Sequence, residues 1–260
     1  MTPMLPLMLA LSLSAPVQDA IVRAGGTDVA THCAGVRAPR APLVVLESGA
    51  GNGLDVWVGV QPAIAAFARV CAYDRPTLVR NGVGPRASIA PDAVVQTLHD
   101  VLRALGEPPP YLMVGHSYGG MIVRLYDTTY PREIAGLVLV DSSHEDQIAR
   151  FTAIDPSTRQ RLGVNAYEAL DLAAFSDALH AHRWSPAVPY VVLTRATPDA
   201  APTGVNAAVD AAWREMQHEL ATRSATGRQI VASRGGHYIQ RDQPELVIDA
   251  VRSVLAAAAK

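Results

Sequence analysis

The stretch at residues 111–120, YLMVGHSYGG, constrains this chain more than any other, because a short apolar run meets a serine set between glycines and then a helical pattern. Tyr111, Leu112, Met113 and Val114 read as a buried strand, and residues 121–130 as a helix that stops before Pro131. Between them Ser117 must occupy a strained turn that lifts its hydroxyl off the sheet edge, with Gly115 and Gly119 leaving room for that turn. The bare pattern GxSxG would arise by chance in about one chain in ten of this length. The strand before it and the helix after it therefore carry the argument, and they point to covalent catalysis by Ser117.

The rest of the chain alternates between the same two patterns. Residues 20–34 hold two extended segments around Gly25-Gly26, an opening hairpin. A β-branched apolar run at 43–47 ends in the glycine-rich loop Ser48-Gly49-Ala50-Gly51-Asn52-Gly53. A helix within 56–68, a strand at 69–73, a loop through Pro85 and a helix at 91–105 precede the serine junction. Strands at 136–140, 189–194 and 229–232 follow it, with a closing helix at 244–258. Such alternation calls for an α/β fold, a mostly parallel sheet with helices on both faces, whose strand C-terminal ends form the ligand-binding edge. Residues 142–187 are too long for an ordinary connection and carry apolar residues at helical spacing, among them Ile148, Phe151, Leu170, Leu172, Phe175 and Leu179. They are read as a small helical cap.

With 260 residues, 49% of them hydrophobic and 18% charged, the chain can bury one large core, expected at 16–260. A net charge of -2 without a basic run gives no reason to propose nucleic acid, and beyond the leader no run approaches the ~20 apolar residues of a membrane span. The oligomeric state is not legible. Residues 4–13 are apolar and are followed by Ser14 and Ala15, so 1–15 read as an export signal, although no lysine or arginine precedes them. The expected location is periplasmic or secreted, with the cytoplasm as the alternative. Two cysteines, Cys33 and Cys71, exclude a disulfide framework and a thiolate zinc site, and leave room for one bridge.

A serine hydroxyl needs a histidine base, and the imidazole needs a carboxylate to fix its tautomer. His237, in Arg234-Gly235-Gly236-His237-Tyr238 after the last strand, sits at the required sheet edge. Asp141 ends the strand after the serine helix, and Asp199 lies several residues past the next strand; Asp141 is preferred, with Asp199 as the alternative acid. The oxyanion donors are expected at the N–H groups of Tyr118 and Ala50. Trp57 and Trp184 are candidate pocket residues, with core packing as the competing reading. His116 is expected to pack under the serine turn and His144 to belong to the cap loop. No metal site is expected, since His180 and His182 point to different faces of a helix.

Taken together, GHSYGG, the ESGAGNG loop, CAYDRP at 71–76, LVLVDSSHEDQ at 137–147 and GGHYIQRDQPE at 235–245 resemble the α/β-hydrolase superfamily. More closely they resemble its bacterial, often exported, esterase-like branch. The resemblance implies an eight-stranded sheet, a cap after the sixth strand, a Ser-Asp-His triad and no cofactor. It also implies that the second and fourth strands are neighbours, which would bring Cys33 and Cys71 within disulfide reach. Two departures stand out. Ser48-Gly49 replaces the His-Gly that opens the oxyanion loop of many relatives, and Arg195 to Asp199 does not match the Gly-x-x-Asp many carry after the seventh strand, a further reason to prefer Asp141. Dehalogenases and epoxide hydrolases of this fold use an aspartate where Ser117 stands. The expected function is thus a serine hydrolase of a small-molecule carboxylic ester, lactones and macrolides included. A cofactor-free lyase or perhydrolase-type enzyme on the same triad is the alternative, and a non-catalytic binding protein the remote one.

Overall fold

The computed structural model describes residues 16–76, 78, 88–158, 162, 168, 170–196 and 204–259. The expected leader at 1–15 lies outside them. Eight strands form one sheet in the order β1-β2-β4-β3-β5-β6-β7-β8, where β1 is Val17–Ala24, β2 Thr27–Ala34, β3 Leu43–Glu47, β4 Val70–Tyr73, β5 Tyr111–His116, β6 Ile134–Val140, β7 Tyr190–Thr194 and β8 Gly227–Val231. From β4 to β8 every pairing is parallel; β1 and β2 add an antiparallel edge. The turn of that edge hairpin is Gly25-Gly26, with φ of 55° and 81°, a conformation that only glycine adopts freely at both positions.

The central strands are buried on both faces, which is why they read as continuous apolar runs rather than as alternations. Leu43, Val45, Met113, Leu137, Leu139 and Val192 point into one core. Their neighbours Val44, Leu46, Leu112, Val114, Val138 and Leu193 point into the other. Helices α2 (Pro91–Ala104) and α3 (Tyr118–Thr129) cover the first core, and α8 (Pro244–Ala258) covers the second through Val247, Ala250, Val251 and Val254, one stripe at helical spacing. Pro91 and Pro244 open their helices in the first turn, where a missing N–H costs nothing.

Within 56–68, where a helix is expected, lies the short α1 at Gln61–Ala65, preceded by a 3-10 turn at Leu54–Trp57. Between β6 and β7 lie α4 (Gln147–Ile154) and α5 (Leu172–His182), the latter packed on α3 and α2. Between β7 and β8 stands a 17-residue helix, α6 (Val205–Ala221), that the sequence reading passes over. A four-residue α7 (Ile239–Asp242) precedes α8. Cys33 and Cys71 face each other across β2 and β4 and are joined by a disulfide.

Candidate active site

Strand β5 ends at His116, and Ser117 follows with φ 52° and ψ -121°, a region that L residues occupy only under strain. Close approach explains the glycines around it. A Cβ on Gly115 would lie 2.6 Å from the Gly119 carbonyl oxygen, and one on Gly119 would lie 2.5 Å from the carbonyl oxygen of Glu47. The turn is also sewn to the next strand: Ser117 N–H donates to the Val140 carbonyl at 3.0 Å, and Ser143 N–H donates to the Ser117 carbonyl at 2.9 Å.

Register then delivers the carboxylate. His116 pairs with Val140, so Ser117 and Asp141 are the first residues beyond the same rung of two adjacent strands. Asp141, itself at φ 41°, is fully buried and accepts four hydrogen bonds. Oδ1 receives the Arg195 backbone N–H at 3.1 Å and Trp213 Nε1 at 2.9 Å; Oδ2 receives Arg195 Nη1 at 3.2 Å and His237 Nδ1 at 2.7 Å. Burial pushes this carboxyl upward, but the His237 hydrogen bond and charge, with Arg195 and Trp213, outweigh it and hold the group below its ordinary value. His237 is half-buried, and its Nδ1 is hydrogen-bonded to Asp141, which fixes the ring's orientation and favours the tautomer with the proton on Nδ1. Asp199, the alternative acid, lies outside the described residues.

His116 packs under the junction as expected. Its Nε2 donates to the His237 carbonyl at 3.0 Å, since a carbonyl can only accept, so the proton sits on Nε2 and Nδ1 is bare. Burial first, and then the His237 charge, lower its pKa to about 3, which keeps it neutral. Gly49 of the loop after β3 lies directly over this pair: a Cβ there would be 2.9 Å from His116 Nδ1 and 3.1 Å from Ser117 Cβ. Ala50 follows Gly49, half-buried against the first core, and Tyr118 opens α3 on the other side of Ser117. The Tyr118 ring packs edge-on against Phe175, and its hydroxyl donates to the Asp171 carbonyl at 3.2 Å.

Both candidate pocket tryptophans are buried, which is the competing core-packing reading. Trp57 is fully buried below the Gly49 loop, where its Nε1 donates to Ser48 Oγ at 2.9 Å; Ser48 Oγ in turn donates to the Gly53 carbonyl at 2.9 Å. Trp184 is buried beside α3 with Nε1 on Asp127 Oδ2 at 2.8 Å, and it packs on Tyr190 and Arg124. Both are core residues whose one polar atom is satisfied.

Two groups escape the sequence reading. On α6, Asp210, Trp213 and Gln217 share one face and reach Arg195, Asp141 and the Ser142 carbonyl. Beneath the Gly49 loop, Arg75 lies between the buried carboxylates Glu47 and Glu168, and Tyr73 donates to Glu47 at 2.6 Å. Beyond the site, His144 faces a charged cluster. Its Nδ1 accepts the Asp146 N–H at 3.0 Å, and burial lowers its pKa to about 4. His144, Asp146 and Glu219 have metal-ligand spacing, yet Arg150 already bridges Asp146 and Glu219, and Arg223 meets His144 and Glu145. Arginines supply the positive charge there.

Sheet order and crossover pattern, with the strained serine at their centre, define the class as an α/β hydrolase. Residues 42–242 match the family described as the alpha/beta hydrolase fold, and the chain belongs to that family. It is 27% identical over 224 residues to the uncharacterized protein YqjL of Bacillus subtilis (strain 168), spanning 83% of this chain and 84% of the other. It is 28% identical over 152 residues to a putative carbamate hydrolase, RutD, of Cronobacter turicensis, spanning 56% of this chain and about half, 54%, of that protein. A solved esterase from Thermogutta terrifontis shares the fold with a TM-score of 0.64 at 16% identity, over 94% of this chain and 100% of the other. No helix among the described residues is long and apolar enough to cross a membrane.

Proposed function

We propose that this hydrolase cleaves small-molecule carboxylic esters, lactones among them, through an acyl-enzyme on Ser117, and that it belongs to the exported esterase-like branch. Ser117 Oγ adds to the ester carbonyl carbon as its proton passes to His237 Nε2. The carbonyl oxygen, now an oxyanion, faces the N–H groups of Ala50 and Tyr118. The C–O bond to the alcohol breaks and the alcohol leaves with the proton from His237. Water then loses a proton to the same imidazole, attacks the acyl-enzyme, and the acid departs as Ser117 regains its hydrogen. Asp141 holds the tautomer with the proton on Nδ1 and stabilises the imidazolium.

The 2.7 Å contact between His237 Nδ1 and Asp141 Oδ2, made one residue past the His116–Val140 rung beyond which Ser117 also lies, is the observation on which the reading rests. The carbamate hydrolase and the esterase among the similar proteins support acyl transfer to water. Export is supported by the Cys33–Cys71 bridge, which persists in oxidising compartments. A fluorophosphonate probe should label the protein, and Ser117→Ala should abolish both labelling and turnover across a panel of aryl esters, lactones and macrolides. Turnover unchanged in Ser117→Ala would end the proposal.

A further inference from the structure

We propose that Arg75 is a positioning residue of the oxyanion loop, one that sets the direction of the Ala50 N–H from below while Glu47 and Glu168 grip it from either side. The inference rests on the ester-hydrolase reading above. Arg75 has five N–H donors, and each has an acceptor. Nε donates to Glu168 Oε1 at 2.9 Å; Nη1 donates to Glu47 Oε1 and to the Ser48 carbonyl at 2.6 Å; Nη2 donates to Glu168 Oε2 at 2.6 Å and to the Gly49 carbonyl at 2.8 Å.

Two of those acceptors decide the loop's orientation. In a planar trans peptide the C=O of one residue and the N–H of the next point in opposite directions. Drawing the Gly49 carbonyl down to Arg75 therefore turns the Ala50 N–H up and away from it, and the same holds for the Ser48 carbonyl and the Gly49 N–H. Gly49 lies against His116 and Ser117, so the side away from Arg75 is the side of the nucleophile. The next N–H is withheld: Gly51 N–H donates to Glu168 Oε2 at 2.7 Å. Glu168 comes from the segment between β6 and β7, so the same carboxylate that grips Arg75 ties that segment to the loop. A lysine could supply the charge but not the planar fork that spans four acceptor groups at once.

The test measures kcat/KM on a p-nitrophenyl ester together with the Ki of an alkyl trifluoromethyl ketone, whose serine adduct presents an oxyanion. Arg75→Met leaves two buried carboxylates without their counter-charge, so the triple variant Glu47→Gln/Arg75→Met/Glu168→Gln, which removes all three charges, is made beside it, and near-ultraviolet circular dichroism reports folding. In the folded variant kcat/KM should fall about 100-fold and the ketone Ki should rise by the same factor, with KM within about threefold. Arg75→Lys should lose at least about 10-fold. A folded triple variant with kcat/KM within threefold of the parent, or with a Ki that does not follow it, overturns the inference, because a purely structural role would lower the melting temperature and leave the ratio of Ki to KM unchanged. Ser117→Ala runs in parallel. If it still turns over, the ester-hydrolase reading fails; if it is dead while the Arg75 variants are unaffected, only the role of Arg75 does.

Discussion

Lowering the pH from 7 to 5 should strip stability from this protein through two buried histidines. His116 and His144 are both fully buried, and burial lowers their pKa values from 6.5 to about 3 and about 4. A group whose folded pKa is depressed contributes stability above its unfolded value and loses it as pH falls toward the folded value. For an imidazole that titrates near 6.5 when unfolded, the window opens at that pH and runs down to about 4 for His144 and about 3 for His116. At pH 5 the unfolded chain binds nearly one proton at each position and the folded chain almost none, a difference of about 1.4 pH units, or about 2 kcal/mol per histidine. The two together remove about 4 kcal/mol from a total that for ordinary domains is about 5–15 kcal/mol. Glu47 runs the other way, because its burial holds its carboxyl above the ordinary value, and Asp141 and Glu145, held low, act mainly below this window. Urea unfolding followed by tryptophan fluorescence at pH 7, 6 and 5, at constant ionic strength, measures the slope. His144→Gln keeps an acceptor for the Asp146 N–H and should make the loss between pH 7 and 5 about 2 kcal/mol smaller. Equal pH slopes in parent and variant would refute the assignment of His144 as a buried neutral imidazole.

Asp141→Asn should lower kcat by up to about 10⁴-fold, since an amide favours the wrong imidazole tautomer, while Asp199→Asn should stay within a few-fold; the reverse order would transfer the acid to Asp199. Reducing the Cys33–Cys71 bridge, which spans a sequence separation of 38, should cost about 4 kcal/mol in a denaturant titration, and two free thiols in the denatured, unreduced protein would dismiss the bridge. Trp213→Phe keeps the ring against His237 but removes a donor to buried Asp141 Oδ1, so it should cost about 1–3 kcal/mol of stability and lower kcat; a neutral effect would mean the acid does not need that donor.

Strands β3, β5 and β6 were legible because a strand buried on both faces has to be apolar throughout, and α8 because Val247, Ala250, Val251 and Val254 repeat at helical spacing behind a proline. The contact between His237 and Asp141 was legible because both residues follow strand ends at one sheet edge. Helix α6 could have been read from Val209, Trp213, Met216 and Leu220, which are spaced 4, 3 and 4 apart, yet its eye-catching residues are alanines and charges that signal no strand or motif. The two tryptophans were beyond reach, because a large aromatic with one polar atom suits a pocket and a core equally well. So was Arg75: its partners Glu47 and Glu168 stand 28 and 93 positions away, and no local pattern marks an arginine as buried. Arg195 was seen only as the approach to Asp199, when in the fold it is the residue that clamps Asp141.

The proposed base, His237, hangs from the weakest part of the sheet. Ser117 and Asp141 leave interior strands that are paired on both sides, whereas His237 follows β8, an edge strand with one partner and largely solvated side chains. Edges fray first under native conditions. The hydrogen bond from His116 to the His237 carbonyl bypasses that edge: it moors the base to β5 across 121 residues of sequence, so a transient opening of β8 need not carry the imidazole away with it. Amide exchange fast in 227–231 but slow at 237 would be its signature, and the histidine ahead of the serine would then be the reason an enzyme with a fraying margin keeps a steady pulse.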